Sequence, residues 1–296
     1  MTRLKPILNA NMDCQLFYVC ESQKSQVESL KSLITEYKLS IILHTELLTD
    51  KLTQKRRQQL TTLVTHPILL LDDKNKLSWL SDGLSVAPEW DKLQRRVVSA
   101  GRKSELLLQA AKITADSHII DATAGFGHDS LILASTGAHV VMLEQQPLMA
   151  LLLLAEQQRM STLPNWQKLM SRLHIINTDA LSYFESFNKN PSVDSSQLID
   201  VVYLDPMFPD DSYQDSKTGK GAKVGKHMQA LHQLARPPTL DEEQQLLQSA
   251  QSVVSQRGQK QGRVIVKRPQ FAPLLAHREP SESWSNEAVR FDGYFV

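Results

Sequence analysis

The sequence predicts a doubly wound α/β domain, a mostly parallel sheet with helices on both faces, preceded by a small α+β module. Three observations carry this. Ser117 to Asp129 reads SHIIDATAGFGHD, a short apolar run that turns through two glycines into a helical pattern. Apolar runs of strand length then recur, separated by helix-length segments, which is the rhythm of parallel βαβ units. Before residue 88 the rhythm differs, with a hairpin signal in place of a crossover. The expected division is residues 1–87 as the α+β module, 88–116 as a basic connecting segment and helix, and 117–296 as the doubly wound domain.

In the first module, Leu16 to Cys20 reads as a strand. Val27, Leu30, Leu33 or Ile34, and Tyr37 recur at helical spacing, and Ile41 to Leu43 reads as a second strand. Thr49 to Thr62, with Lys51, Lys55, Arg56 and Arg57, is an exposed helix or a long loop. Ile68–Leu71 and Leu77–Leu80 flank a polar Asp72–Lys76 turn, a hairpin. The connecting segment carries Arg95, Arg96, Arg102 and Lys103 and leads into a helix over Ser104–Ala111.

In the main domain, strand one ends at Asp121 and strand two, Ala138–Leu143, ends in Glu144. Pro147 sits at the first position of a Leu-rich helix. Strand three, Leu173–Ile176, is followed by Asn177-Thr-Asp179 and a helix from Ala180. Strand four, Leu198–Leu204, runs into Asp205-Pro-Met-Phe-Pro209. Thr239 and Glu242 form a capping box for a further helix. Strand five, Arg263–Val266, ends in Lys267-Arg268-Pro269, with Lys267 and Arg268 at a strand end on the active side, and Arg290 to Val296 reads as a last edge strand.

Composition excludes several classes. Two cysteines, Cys14 and Cys20, without a CxxC spacing exclude a disulfide scaffold or a zinc site and suit a reducing cytosol. The longest apolar run, Leu148–Ala155, is well short of the ~18 residues of a membrane span. No signal peptide is recognisable, so a cytoplasmic protein with neither membrane nor metal as partner is expected. A net charge of +1 leaves nucleic acid open, since a local basic patch suffices to bind it.

In an open parallel sheet the ligand lies beyond the carboxyl ends of the strands. Those ends here carry Asp121, Glu144, Asp179 and Asp205. The loop Gly125-x-Gly127-x-x-Ser130 lacks the third glycine of a dinucleotide fingerprint, and Glu144 stands where a carboxylate binds ribose hydroxyls. These features leave NAD and S-adenosylmethionine both open. Asp121 and Asp129 tilt the reading to the second, whose charged amino-acid end tolerates acidic surroundings. The deciding stretch is Asp205-Pro206-Met207-Phe208. An exocyclic base amine is a poor nucleophile because its lone pair is delocalised into the ring. Acceptors for its N–H groups, the Asp205 carboxylate and the Pro206 carbonyl, favour a pyramidal nitrogen able to attack a methyl group. Phe208 offers a face for a base taken out of its stack.

Asp-Ala-Thr-Ala-Gly-x-Gly-x-Asp at 121–129, Met142-Leu-Glu144 followed by Pro147, Val202–Pro209 and Val266–Pro269 resemble, in this order, the RsmJ-type small-subunit ribosomal RNA methyltransferases. The resemblance spans roughly Gly101 to Val296. It implies a Rossmann-like class I methyltransferase fold, S-adenosyl-L-methionine as cofactor, and methylation of the exocyclic N2 amine of a guanine in the 16S ribosomal RNA, free or within the subunit. Position by position it implies cofactor contacts at His128, Asp129, Glu144, Gln145, Asp179, Ala180 and Asp205, beside the glycine loop with Asp121, Gly125 and Gly127. His128 and Gln145 stand where the family usually has arginine. Asp205, Pro206 and Phe208 are the expected catalytic residues. Asp121 and Asp129 would lie near the amino-acid end of the cofactor, Glu144 at the ribose, and Asp179 near the adenine or as a helix cap. Arg102, Lys217, Lys220, Lys223, Lys267 and Arg268 are expected at a phosphate-binding rim. The rival readings are an amine or amide methyltransferase acting on DNA adenine or protein glutamine, an NAD-dependent oxidoreductase, and a catalytically silent RNA-binding protein.

Overall fold

The computed structural model describes residues 11–101, 103–189, 198–208, 234–254 and 261–296. Two compact units emerge, one of Met1–Ala87 with Pro147–Arg159, the other of Pro88–Gln146 with Met160–Val296.

The first unit holds a five-stranded sheet in the order β2-β1-β3-β4-β5. Its strands are β1 (Met12–Tyr18), β2 (Ile41–Leu47), β3 (Ile68–Leu71), β4 (Leu77–Ser81) and β5 (Leu84–Val86). β1 lies between β2 and β3, parallel to both, while β3, β4 and β5 form an antiparallel meander. The β3–β4 turn closes because Asp72 Oδ1 accepts from the backbone N–H of Lys74 and of Lys76. Helix α1 (Lys24–Glu36) buries Val27, Leu30 and Leu33, one face at helical spacing. The polar stretch before the hairpin contains a helix, α2 (Gln54–Leu63), and its single buried residue, Leu60, joins Phe17, Leu48, Ile68, Leu70 and Leu80 in a small core.

In the second unit α3 (Gln94–Ser99) and α4 (Leu106–Ala111) lead into a seven-stranded sheet, β11-β12-β10-β9-β6-β7-β8. Its strands are β6 (His118–Asp121), β7 (His139–Glu144), β8 (Leu173–Asn177), β9 (Val201–Leu204), β10 (Arg263–Pro269), β11 (Glu282–Ser285) and β12 (Val289–Phe295). β8, β7, β6, β9 and β10 are parallel, and β12 and β11 are antiparallel. Covered on both faces, the central strands are continuous apolar runs: Val201-Val-Tyr-Leu204 is wholly buried. One face packs on α8 (Ala180–Lys189) and α9 (Leu240–Val253) through Ile120, Val202, Leu204, Val264 and Val266. The other carries α4, α5 (His128–Ser135) and α7 (Pro164–Met170). Between them in sequence runs α6 (Pro147–Ser161), with Pro147 at its start. The Thr239 hydroxyl and Glu242 carboxylate cap α9 reciprocally.

Two expectations are corrected. β12 is not an edge strand: it is interior, because the polar segment Glu282–Ser285, whose composition gives no strand signal, pairs on its outer side. Lys267 and Arg268 do not share the active side: β10 runs to Pro269, as the sequence suggests, and successive side chains on it point to opposite faces of the sheet.

Candidate active site

The parallel strands β6, β7, β9 and β10 bring Asp121, Glu144, Asp205 and Lys267 to their carboxyl ends, and β6 is the point from which the strand order runs both ways. The β6–α5 turn is built by Gly125 (φ +52°) and Gly127 (φ +72°), backbone that residues with a Cβ rarely adopt. Ala124 N–H donates to Leu143 O of β7 at 3.1 Å, and Gly127 N–H to Ala124 O at 2.7 Å.

Asp121 is buried and accepts from the Ser130 hydroxyl and from Thr123 N–H at 3.2 Å. Burial pushes its carboxyl up to about 7, although both hydrogen bonds oppose this. Glu144, also buried, accepts from Gly125 N–H on Oε2 at 3.0 Å and from Gln146 N–H on Oε1 at 2.8 Å. Burial likewise raises it to about 7. Among the described residues no cation pairs with either.

A second pair lies beside them. Lys267 Nζ donates to Asp129 Oδ2 at 2.7 Å and to Asp205 Oδ2 at 2.9 Å. The Tyr203 hydroxyl donates to Asp129 Oδ2 at 2.7 Å, and burial raises its phenol well above the usual range. For Asp129 burial acts upward, but the Lys267 ammonium, the Tyr203 hydroxyl and the charge of Arg96 together hold the carboxyl below its ordinary value. Burial raises Asp205 despite Lys267. Asp205 N–H donates to the Thr123 hydroxyl at 2.6 Å. Its Oδ1 carries no hydrogen bond among the described residues.

The remaining expected residues are placed as follows. The His128 ring Nε2–H donates to Pro88 O at 2.6 Å, the ring lies against Phe126, and burial lowers its pKa, so it is a neutral fixture of the loop. Gln145 is exposed. Asp179 Oδ1 accepts from Ser182 N–H at 2.9 Å, capping α8, whose first residue is Ala180. Phe208 is 4% exposed, and the Arg268 guanidinium lies 4.6 Å from its ring centroid. One face that was expected to receive a base is therefore covered. Arg268, also 4% exposed, is paired with Glu243 at 2.7 Å. A phosphate rim formed by Lys267 and Arg268 is corrected on this ground: one ammonium is engaged by two carboxylates and the other cation is buried. Arg102, Lys217, Lys220, Lys223 and Pro209 lie outside the described residues.

Lys267 as the bridge, and Tyr203, Thr123 and Ser130 as supports, were not singled out from sequence. A signal for the first exists: Asp129 and Asp205 crowd two carboxylates at one crevice, and Lys267 closes a strand of the same sheet.

The donor set fits S-adenosylmethionine. Two buried carboxylates without a cation would be compensated by an ammonium at Asp121, and Glu144 keeps lone pairs for the hydroxyls of a ribose. The strand order and this site define a class I methyltransferase. The comparisons with known proteins agree. Residues 46–296 match the family described as "Putative SAM-dependent methyltransferase", and the chain belongs to that family. It is 80% identical over 296 residues to the ribosomal RNA small subunit methyltransferase J of Psychrobacter cryohalolentis, covering all of both chains. It is 38% identical to the protein of that name from Acinetobacter baylyi, over 78% of this chain and 82% of the relative. A SAM-dependent methyltransferase from Neisseria gonorrhoeae shares the fold, with TM-score 0.62 and 23% identity over 95% of each chain. No helix among the described residues is long and apolar enough to cross a membrane.

Proposed function

We propose that this protein methylates the exocyclic N2 amine of a guanine in small-subunit ribosomal RNA, in the cytoplasm. The substrate class is supported by the relatives named ribosomal RNA small subunit methyltransferase J, which match over the full chain at 80% identity. The observation that carries the chemistry is the state of Asp205. Its N–H is held by Thr123 and one carboxylate oxygen by Lys267, while the other oxygen, at the end of β9, carries no hydrogen bond among the described residues. S-adenosylmethionine, when bound, supplies the electrophilic methyl group.

The chain's own residues have the following roles. Asp121 binds the ammonium of the cofactor's amino-acid end, and Glu144 the ribose hydroxyls. Gly125 and Gly127 let the backbone approach, and His128, Asp129 and Gln145 border the same surface. Asp179 and Ala180 lie at the adenine end. Asp205 Oδ1 and the Pro206 carbonyl accept the two amine hydrogens and hold the nitrogen in line. Pro206 has no N–H to compete and stiffens the loop. Phe208 anchors the loop as a buried side chain under the Arg268 guanidinium. The Lys267 ammonium is shared by Asp129 and Asp205 and offsets one of their two negative charges, so that Asp205 orients the amine as an ion-paired group.

The test is methyl transfer from labelled S-adenosylmethionine to small-subunit particles and to naked ribosomal RNA from a strain lacking this protein, with the nucleoside identified by mass. Wild type is expected to yield N2-methylguanine. Asp205→Ala is expected to lose about 10²- to 10³-fold in rate, the usual effect of removing one polar group aimed at the transition state, with cofactor affinity within a few-fold. Methyl transfer to DNA adenine or a protein amide instead of RNA would overturn the substrate reading.

A further inference from the structure

We propose that Phe271 is the base-stacking residue of the RNA site, receiving a base of the single strand that presents the target guanine. This rests on the ribosomal RNA reading above and deepens it.

Phe271 is 70% exposed, the one aromatic among the large, exposed apolar side chains of the described residues. An exposed apolar side chain is by itself ordinary. Its mounting is what sets it apart. The turn after β10 is closed by Ala272 N–H on Pro269 O at 3.1 Å and by Gln270 N–H on Ala288 O at 3.2 Å. The Arg290 guanidinium then donates to the two carbonyls that flank Phe271, Gln270 O at 2.9 Å and Ala272 O at 3.0 Å. Arg290 is itself held by Asp292, a fully buried carboxylate. Four hydrogen bonds and a buried ion pair thus fix the backbone on either side of a ring turned to solvent. A phenylalanine that served only to pack would be held inward.

Position supplies the second argument. Phe271 follows Lys267, whose ammonium touches Asp205, by four residues, so the chain cannot carry its Cα more than about 14 Å from that of Lys267. The strand that delivers a base to Asp205 passes within reach of the ring. Phe208, with a face under Arg268, is not placed to hold a second base. Stacking on an exposed ring tolerates any base and needs no further donor.

The test compares wild type with Phe271→Ala, Phe271→Leu and Phe271→Trp on small-subunit ribosomal RNA from a strain lacking this protein. Base stacking on an aromatic translates into a rise of about 5- to 150-fold in the apparent KM for RNA in the Ala variant. Affinity for S-adenosylmethionine and the unfolding midpoint should not change. The Leu variant should fail as the Ala variant does. The Trp variant should keep wild-type KM, and added RNA should quench its extra fluorescence. An Ala variant with wild-type KM overturns the proposal. A fully active Leu variant also overturns it, since apolar contact with a protein would then suffice. If wild type methylates no RNA at all, this proposal falls together with the ribosomal RNA reading; if it methylates RNA and the Ala variant does so equally well, this one alone falls.

Discussion

Asp121 and Glu144 on one hand, and the neighbouring Asp129 and Asp205 on the other, are all carboxylates close to carboxyl ends of one sheet, yet the fold treats the two pairs in opposite ways. The first pair is held by neutral donors, backbone N–H groups and the Ser130 hydroxyl. Such donors set the position of a carboxylate without cancelling its charge, and burial raises both groups to about 7. The second pair shares the Lys267 ammonium. A site for a cationic ligand needs carboxylates with uncancelled charge, whereas a site that only orients an amine needs acceptors that stay in place. Thr123 ties the two pairs together, donating its N–H to Asp121 and accepting Asp205 N–H on its hydroxyl.

The strongest way to break this contrast is to remove the cation. Lys267→Met leaves Asp129 and Asp205 facing one another without compensation. Breaking a buried ion pair typically costs about 3–5 kcal/mol; with the Lys267 side chain 27% exposed, a loss of about 2–3 kcal/mol is expected in denaturant unfolding. Adding Asp129→Asn should return part of that stability without restoring methyl transfer. Full recovery of activity in the double variant would mean that Asp205 needs no cation.

At the first pair, the contrast is sharpened by pH. The folded-state pKa of Asp121, about 7, lies above the ordinary 3.8. The unfolded chain therefore gives up this proton more readily. The group's contribution to stability of the ligand-free protein falls as pH rises from about 4 to about 7, and is level beyond. A bound ammonium favours the ionised form, so affinity for S-adenosylmethionine should tighten as pH rises through about 7. Asp121→Asn should flatten that dependence and weaken binding at pH 8 by about tenfold or more, the value of a charged hydrogen bond. Titration calorimetry at pH 6 and pH 8 reads both. An unchanged pH profile in the variant would assign the ammonium elsewhere.

The smallest expected effect comes from the link. Thr123→Val keeps the N–H to Asp121 but leaves Asp205 N–H without its acceptor, at a cost of about 1 kcal/mol or somewhat more. The methyl-transfer rate should fall several-fold with cofactor affinity unchanged. Equal losses in both would show that the two pairs are not separable.

Much of this was legible in the sequence. The buried runs of β6 and β9, the glycine turn, Pro147 at the start of α6 and the Thr239–Glu242 cap are each written in a few neighbouring residues, as are the positions of Asp121, Glu144 and Asp205 at or next to strand ends. The first strand of the terminal hairpin was less accessible. Glu282-Ser-Trp-Ser285 has the composition of a loop and is a strand because β12 offers it an edge.

What the sequence by itself determined is therefore the set of elements and the row of carboxylates, because helix periodicity, capping and left-handed glycine turns are local and depend on residues a few positions apart. Only the tertiary structure decided what each carboxylate faces. Lys267 lies 138 residues from Asp129 in the chain. Whether it reaches the carboxylates or the opposite face of the sheet depends on β10 continuing as a strand to Pro269, since each step along a strand reverses the side-chain direction. The same alternation sends Arg268 onto Phe208 and away from solvent. Partner choice is a property of register and strand order, which arise from packing the whole sheet.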